Sequence, residues 1–325
     1  MYLSKARGTL SGLACGDALG RPVEFTSTER IRSKHGRVTD MLADGSHRQP
    51  AGTITDDTQL ALCIARSLDE NGEFDPPAVV DRFVEWYNSD PFDIGRLTAS
   101  TLRRLAAGGS WETVGIEDWQ HLREGANAGN GSVMRCAPYG IAFASQPDDL
   151  ITASRVSSAL THADPRCQWS CVMLNATIAS LLQDIEQPLE YAITQAEAAP
   201  EEVRDAVQSV AAVVKGDRDP TSVDLDNSGY VVTTLQAGLY HGLTAETAAE
   251  AIVEAVMMGG DTDTLAAVAG AVAGARFGIE SLPDRWLDAV DQTAELKQLG
   301  ATLTQQSVTV APAAETECAD GTLDL

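Results

Sequence analysis

The 325-residue chain carries 47 acidic against 23 basic residues, a net charge of −24 at pH 7, and 44% of it is apolar. Acidity on this scale excludes general nucleic-acid binding, which needs a basic footprint. The longest near-apolar run, Leu265 to Gly278, is too short for a membrane span and is interrupted by Arg276.

Only four of the basic residues are lysine. That scarcity fits a high-salt cytoplasm, where screening suppresses self-repulsion; an acidic protein of ordinary salt is the other reading. The N-terminal residues show no signal-peptide pattern, so a cytoplasmic chain is expected, with its six cysteines reduced.

Apolar residues recur at three- and four-residue spacing over 3–19, 56–70, 76–88, 96–107, 131–144, 148–161, 166–184, 202–215, 231–240, 245–257 and 263–276. These predict an all-α protein, a compact helical bundle in one domain over 1–300. The only strand candidate is "GRVTDML" at 36–42. From residue 301 the periodicity fades into small, polar and acidic residues, and a disordered tail is expected over 301–325.

Two stretches stand out. "TITDDT" places Asp56 and Asp57 between Thr55 and Thr58, and "GGDTDT" places Asp261 and Asp263 around Thr262, with Thr264 next. Each opens an apolar helix. One aspartate makes a helix cap worth about 1 kcal/mol, and the doubled aspartates exceed that need. Four carboxylates and several hydroxyls suit a hard divalent cation such as Mg²⁺ or Mn²⁺. Spacing alone leaves caps and cation ligands as alternatives. Gly270, Gly274 and Gly278 follow at four-residue steps, a stripe that predicts a close helix–helix approach.

Six stretches in order, "GLACGDALGRPVEF" (12–25), "GTITDDTQLAL" (52–62), "GNGSVMRCAPYGI" (129–141), "LTH" (160–162), "SGYVVTTLQAGLY" (228–240) and "GGDTDTLAAVAGAVAGARFG" (259–278), resemble the motifs of the ADP-ribosylglycohydrolase family. The resemblance spans roughly residues 5–280. It implies an all-α hydrolase with two Mg²⁺ or Mn²⁺ ions held by Thr55, Asp56, Asp57, Asp261, Asp263 and Thr264. The substrate would be an ADP-ribosylated protein or a small-molecule ADP-ribose conjugate.

The resemblance also assigns roles. Glu24 is the acid–base or water-positioning group, with Asp57 and Asp263 completing the catalytic set, and Asp17 orients the motif by hydrogen bonding. Asn130, Gly131 and Ser132 form a loop whose amides, at the start of a helix near Val133, suit a diphosphate; a capped turn is the structural alternative. Arg135 meets a phosphate or an internal ion pair. His162 hydrogen-bonds a phosphate or ribose, and Tyr230 stacks on adenine or ribose, unless both are core residues. Thr233 stands where many members carry aspartate. "DPFDIG" resembles the arginine-acting branch, so Asp93 would pair with a guanidinium. The other readings are a hydrolase of a free ADP-ribose derivative or modified nucleobase, and a non-catalytic ADP-ribose-binding relative.

Overall fold

Alanine, valine and glycine make up most of the Thr262–Phe277 helix, and every residue from Thr262 to Ala275 is buried. A helix apolar on all sides belongs at the centre of a core. In the computed structural model, which describes residues 1–123, 126–305 and 308–311, this helix packs against Tyr2–Gly20, Val231–Thr244, Ala248–Met257 and Pro165–Leu182. The described residues form sixteen α-helices and two small two-stranded sheets, so the chain is all-α as expected. Among the described residues no helix is long and apolar enough to cross a membrane.

The glycine stripe has a counterpart that the sequence reading missed. A β-carbon on Gly8 would lie 2.5 Å from the Gly274 carbonyl oxygen, and one on Gly12 or Gly16 would run into the carbonyl of Gly270 or Ala266. The first helix and the central helix therefore meet backbone to backbone, in antiparallel register.

That approach sets the end of the first helix beside the start of the central one, where the Thr262 hydroxyl donates to the Gly20 carbonyl at 2.9 Å. The Asp56–Asn71 helix is docked at the same place. Asp17, buried in the last turns of the first helix, accepts from the amide and hydroxyl of both Thr55 and Thr58. A short antiparallel pair, Thr26–Ser27 with Gly259–Gly260, ties the next segment alongside.

Several expectations change. Residues 36–42 form no strand. The helix expected over 131–144 shrinks to Ala137–Ala142, and 131–135 form turns. Pro138 cannot donate to the Met134 carbonyl, so the helix does not extend back over 131–135 and begins instead with Pro138 in its first turn. Upstream, Asn130 N donates to Gly229 O and Val231 N to Ala128 O, which ties the segment into a bridge instead. Structure also continues past residue 301: helix Thr293–Thr302 is followed by Thr309–Val310, paired in parallel with Glu73–Phe74. The remainder of the expected tail, 312–325, lies outside the described residues. The five described cysteines are free and buried, as expected.

Candidate active site

The helix starts at Asp56 and Thr262, the segment after the first helix and the 129–131 loop surround one cavity of about 790 Å³. Glu24, Asp56, Asp57, Asp93, Asn130, Gly131, His162, Asp261, Asp263 and Thr264 all line it. Ten positions spread over 241 residues of sequence thus reach one hollow.

Folding positions each carboxylate separately. The Thr55 hydroxyl lies 3.2 Å from Asp57 Oδ2, and the Thr264 hydroxyl donates to the same oxygen at 3.5 Å, so the two aspartate motifs meet across 207 residues. Thr55 itself is fully buried behind the aspartates. Asp56 Oδ2 accepts from the Gly95 amide at 3.3 Å. Asp263 Oδ1 accepts from the Thr264 amide. Carboxylate oxygens of Glu24, Asp261 and Asp263 lie within 4.8 Å of one another.

The electrostatics follow from burial. Loss of water first, and then the neighbouring Asp93, Asp261 and Asp56, push Glu24 up to about 9. Burial likewise raises Asp56, with Asp93 next in effect; Asp57, with Asp17 next; and Asp263, with Glu24 next. Asp93 is also raised, chiefly by burial, although His47 opposes the shift. Like charges taken out of water in one place resist ionising together unless a cation joins them. Asp57 Oδ1 is buried with no hydrogen-bond partner, an acceptor oxygen with a lone pair to give. The donor set and this orphan oxygen fit a hard divalent cation.

Of the expected substrate contacts, Asn130 lines the cavity while Ser132 and Tyr230 do not. The Asn130 side-chain amide donates to Asp261 Oδ2 at 2.8 Å and Thr234 Oγ1 at 3.1 Å, so its protons hold a carboxylate in place. Ser132 is buried off the cavity, accepting from Ser158 Oγ at 2.9 Å. Tyr230 is not among the cavity-lining residues; Arg166 covers its ring at 5.6 Å and donates to its hydroxyl at 3.2 Å. The Thr233 hydroxyl turns back to the Tyr230 carbonyl.

Three residues at the site carry no mark in the sequence. His47 Nε2 lies 2.6 Å from Glu24 Oε2 and 3.5 Å from Asp93 Oδ2. It sits in a loop with no periodicity to mark it. Arg21 brings that loop in: its buried guanidinium donates to the carbonyls of Thr53, Asp44, Leu42, Gln49 and Pro50. Phe25 stands next to Glu24 at the cavity, 77% exposed, with φ of 57° and its amide donating to Gly260 O.

Comparison with known proteins agrees with this architecture. The ADP-ribosylglycohydrolase family model matches residues 1–313. The chain is 30% identical to the ADP-ribosyl-[dinitrogen reductase] glycohydrolase of Rhodospirillum rubrum, over 90% of this chain and 92% of that protein. It is 32% identical to the ADP-ribosylarginine hydrolase Tri1 of Pseudomonas putida (strain GB-1), over 93% and 78%. A solved structure of an ADP-ribosylglycohydrolase-related protein complex superposes with a TM-score of 0.78 at 31% identity, covering 94% of this chain and 99% of that one. The chain belongs to the ADP-ribosylglycohydrolase family, whose members are enzymes that hydrolyse glycosidic bonds to ADP-ribose.

Proposed function

We propose that this chain releases ADP-ribose from a modified side chain, arginine in preference to serine, with two Mg²⁺ or Mn²⁺ ions held by Thr55, Asp56, Asp57, Asp261, Asp263 and Thr264. The observation that carries the reading is the convergence of both aspartate motifs on one cavity, with Asp57 Oδ1 left unpartnered. When bound, the cations would neutralise the carboxylates, orient the ribose hydroxyls and lower the pKa of a bound water.

The chain's own groups supply the rest. Glycosidic cleavage passes through an oxocarbenium-like state and needs a carboxyl group to handle a proton. Glu24 holds that position, with its Oε2 hydrogen-bonded to His47 Nε2. Asp93, at the same wall, gives a planar guanidinium a carboxylate partner. The relatives named as acting on ADP-ribosylarginine support this choice of leaving group. Gly131 and His162, opposite the carboxylates in role, leave room and a hydrogen-bonding edge for the diphosphate of ADP-ribose.

Calorimetric titration of the metal-stripped protein with Mn²⁺ tests the site. Two ions per chain are expected in the wild type, and the Asp263→Ala variant should lose at least one. Undiminished binding by that variant would remove the metal assignment.

A further inference from the structure

Arg135 is 1% exposed, and its guanidinium is matched by no carboxylate in an ion pair among the described residues. The guanidinium lies over the Phe83 ring, with Cζ 4.5 Å from its centroid. Nη1 has no partner, and Nη2 donates to Thr161 Oγ1 at 2.7 Å. Neither of the roles expected from the sequence, a phosphate contact or an ion pair, accounts for a cation buried in this way.

Its surroundings do. Arginine can only donate, so Thr161 Oγ1 is an acceptor in that bond. Thr161 is fully buried, and its other neighbour is His162 Nδ1 at 2.8 Å. If Nδ1 carried a proton, the oxygen would accept twice and its own hydroxyl proton would be buried without an acceptor, which is costly. The arrangement that gives the Thr161 hydroxyl proton an acceptor runs from Arg135 Nη2 to Thr161 to Nδ1. Nε2 then carries the imidazole's single proton. A charged ring is disfavoured by burial and by Arg135, which together bring His162 down to about 3.

The proton on Nε2 faces the substrate cavity. His162 and Gly131 both line it, and a β-carbon on Gly131 would lie 2.9 Å from Nε2, so only glycine leaves that edge open. We propose that Arg135 is a positioning residue which, through Thr161, locks His162 in the Nε2–H tautomer and so presents an uncharged donor to an oxygen of the ADP-ribose portion of the substrate. The choice of ligand rests on the proposed function; the tautomer lock does not.

Long-range ¹H–¹⁵N correlation spectra of the full-length protein read the tautomer directly, with the His162 signals assigned through His162→Gln. The wild type should show protonated Nε2 and bare Nδ1 from pH 6 to 8. Thr161→Val removes the donor to Nδ1, so the Nδ1–H form should appear, with about tenfold weaker ADP-ribose binding. Thr161→Ser keeps the hydroxyl and should restore both. Arg135→Met should behave like Thr161→Val wherever it folds. A protonated Nδ1 in the wild type, or an unchanged Nε2–H form in folded Thr161→Val, overturns the lock. A wild type with the expected tautomer that binds no ADP-ribose would instead sink the ligand reading alone.

Discussion

Asp17 and Thr58 stand 41 residues apart in sequence, yet the carboxylate accepts from both the Thr58 amide, at 3.2 Å, and its hydroxyl, at 2.5 Å. With Thr55 it makes the same pair of bonds. All four partners are donors, and burial nevertheless raises Asp17 to about 6. Asparagine would turn an NH₂ toward at least one of those donors. Asp17→Asn should therefore cost about 2–3 kcal/mol in denaturant unfolding, the scale of bonds to a buried charged group. It should also weaken Mn²⁺ binding, because the start of the Asp56–Asn71 helix is no longer held. A variant as stable as wild type would show that this docking is incidental.

Backbone contact between the first and central helices makes a second prediction. Gly12→Ala gains about 1 kcal/mol of helix propensity in isolation. Here the added methyl runs into the Gly270 carbonyl, and overpacking of this kind costs about 1–3 kcal/mol. The expected result is a lower thermal midpoint despite better local propensity. A raised midpoint would mean that the helices separate without penalty.

Metal removal and pH are coupled with a definite sign. In the metal-free chain Glu24 is raised to about 9, and Asp56, Asp57 and Asp263 are raised as well. Unfolded carboxyls titrate near pH 4, so between these limits the folded state binds more protons than the unfolded one. Stability then falls as pH rises, by up to about 1.4 kcal/mol per pH unit for each such group. The buried His162 and His241, lowered to about 3 and 4, are neutral when folded and, above about pH 7.5, almost neutral when unfolded, so they offset little of this slope. Chelated protein should thus lose stability from pH 7 to 9, and saturating Mg²⁺ should flatten that slope. Equal slopes with and without Mg²⁺ would contradict the electrostatic account.

Glu24→Gln keeps size and hydrogen-bonding capacity but cannot exchange a proton. The expected loss is about 10²–10⁴-fold in kcat, with ADP-ribose affinity little changed. His47→Gln should lose less, since its Nε2 contacts Glu24 without being the group assigned to the substrate. Steady-state kinetics with the folded variants separate the two, and a Glu24→Gln variant with wild-type kcat would remove the carboxyl from its role.

The sequence made the aspartate pairs, Glu24, His162 and the central helix legible because each is a local signal: doubled carboxylates at helix starts, a motif order, or a glycine period. The short helices Thr28–His35, Val114–His121 and Asp284–Ala289 carry too few turns for periodicity to mark them. His47 and Arg21 were invisible for another reason. Their roles come from a non-periodic loop that the Arg21 guanidinium gathers by its carbonyls, a contact with no spacing rule. Asn130 lines the cavity, where the resemblance expects a substrate contact. That its side-chain amide also holds Asp261 and Thr234 is something only the folded arrangement reveals.

The most direct test is release of free ADP-ribose from arginine- and serine-ADP-ribosylated peptides, in high salt with Mg²⁺ or Mn²⁺. EDTA and the Asp263→Ala variant serve as controls. Release should be faster from the arginine conjugate and abolished by either control. No release from either peptide by a folded protein that still binds ADP-ribose, or release that survives EDTA, would contradict it.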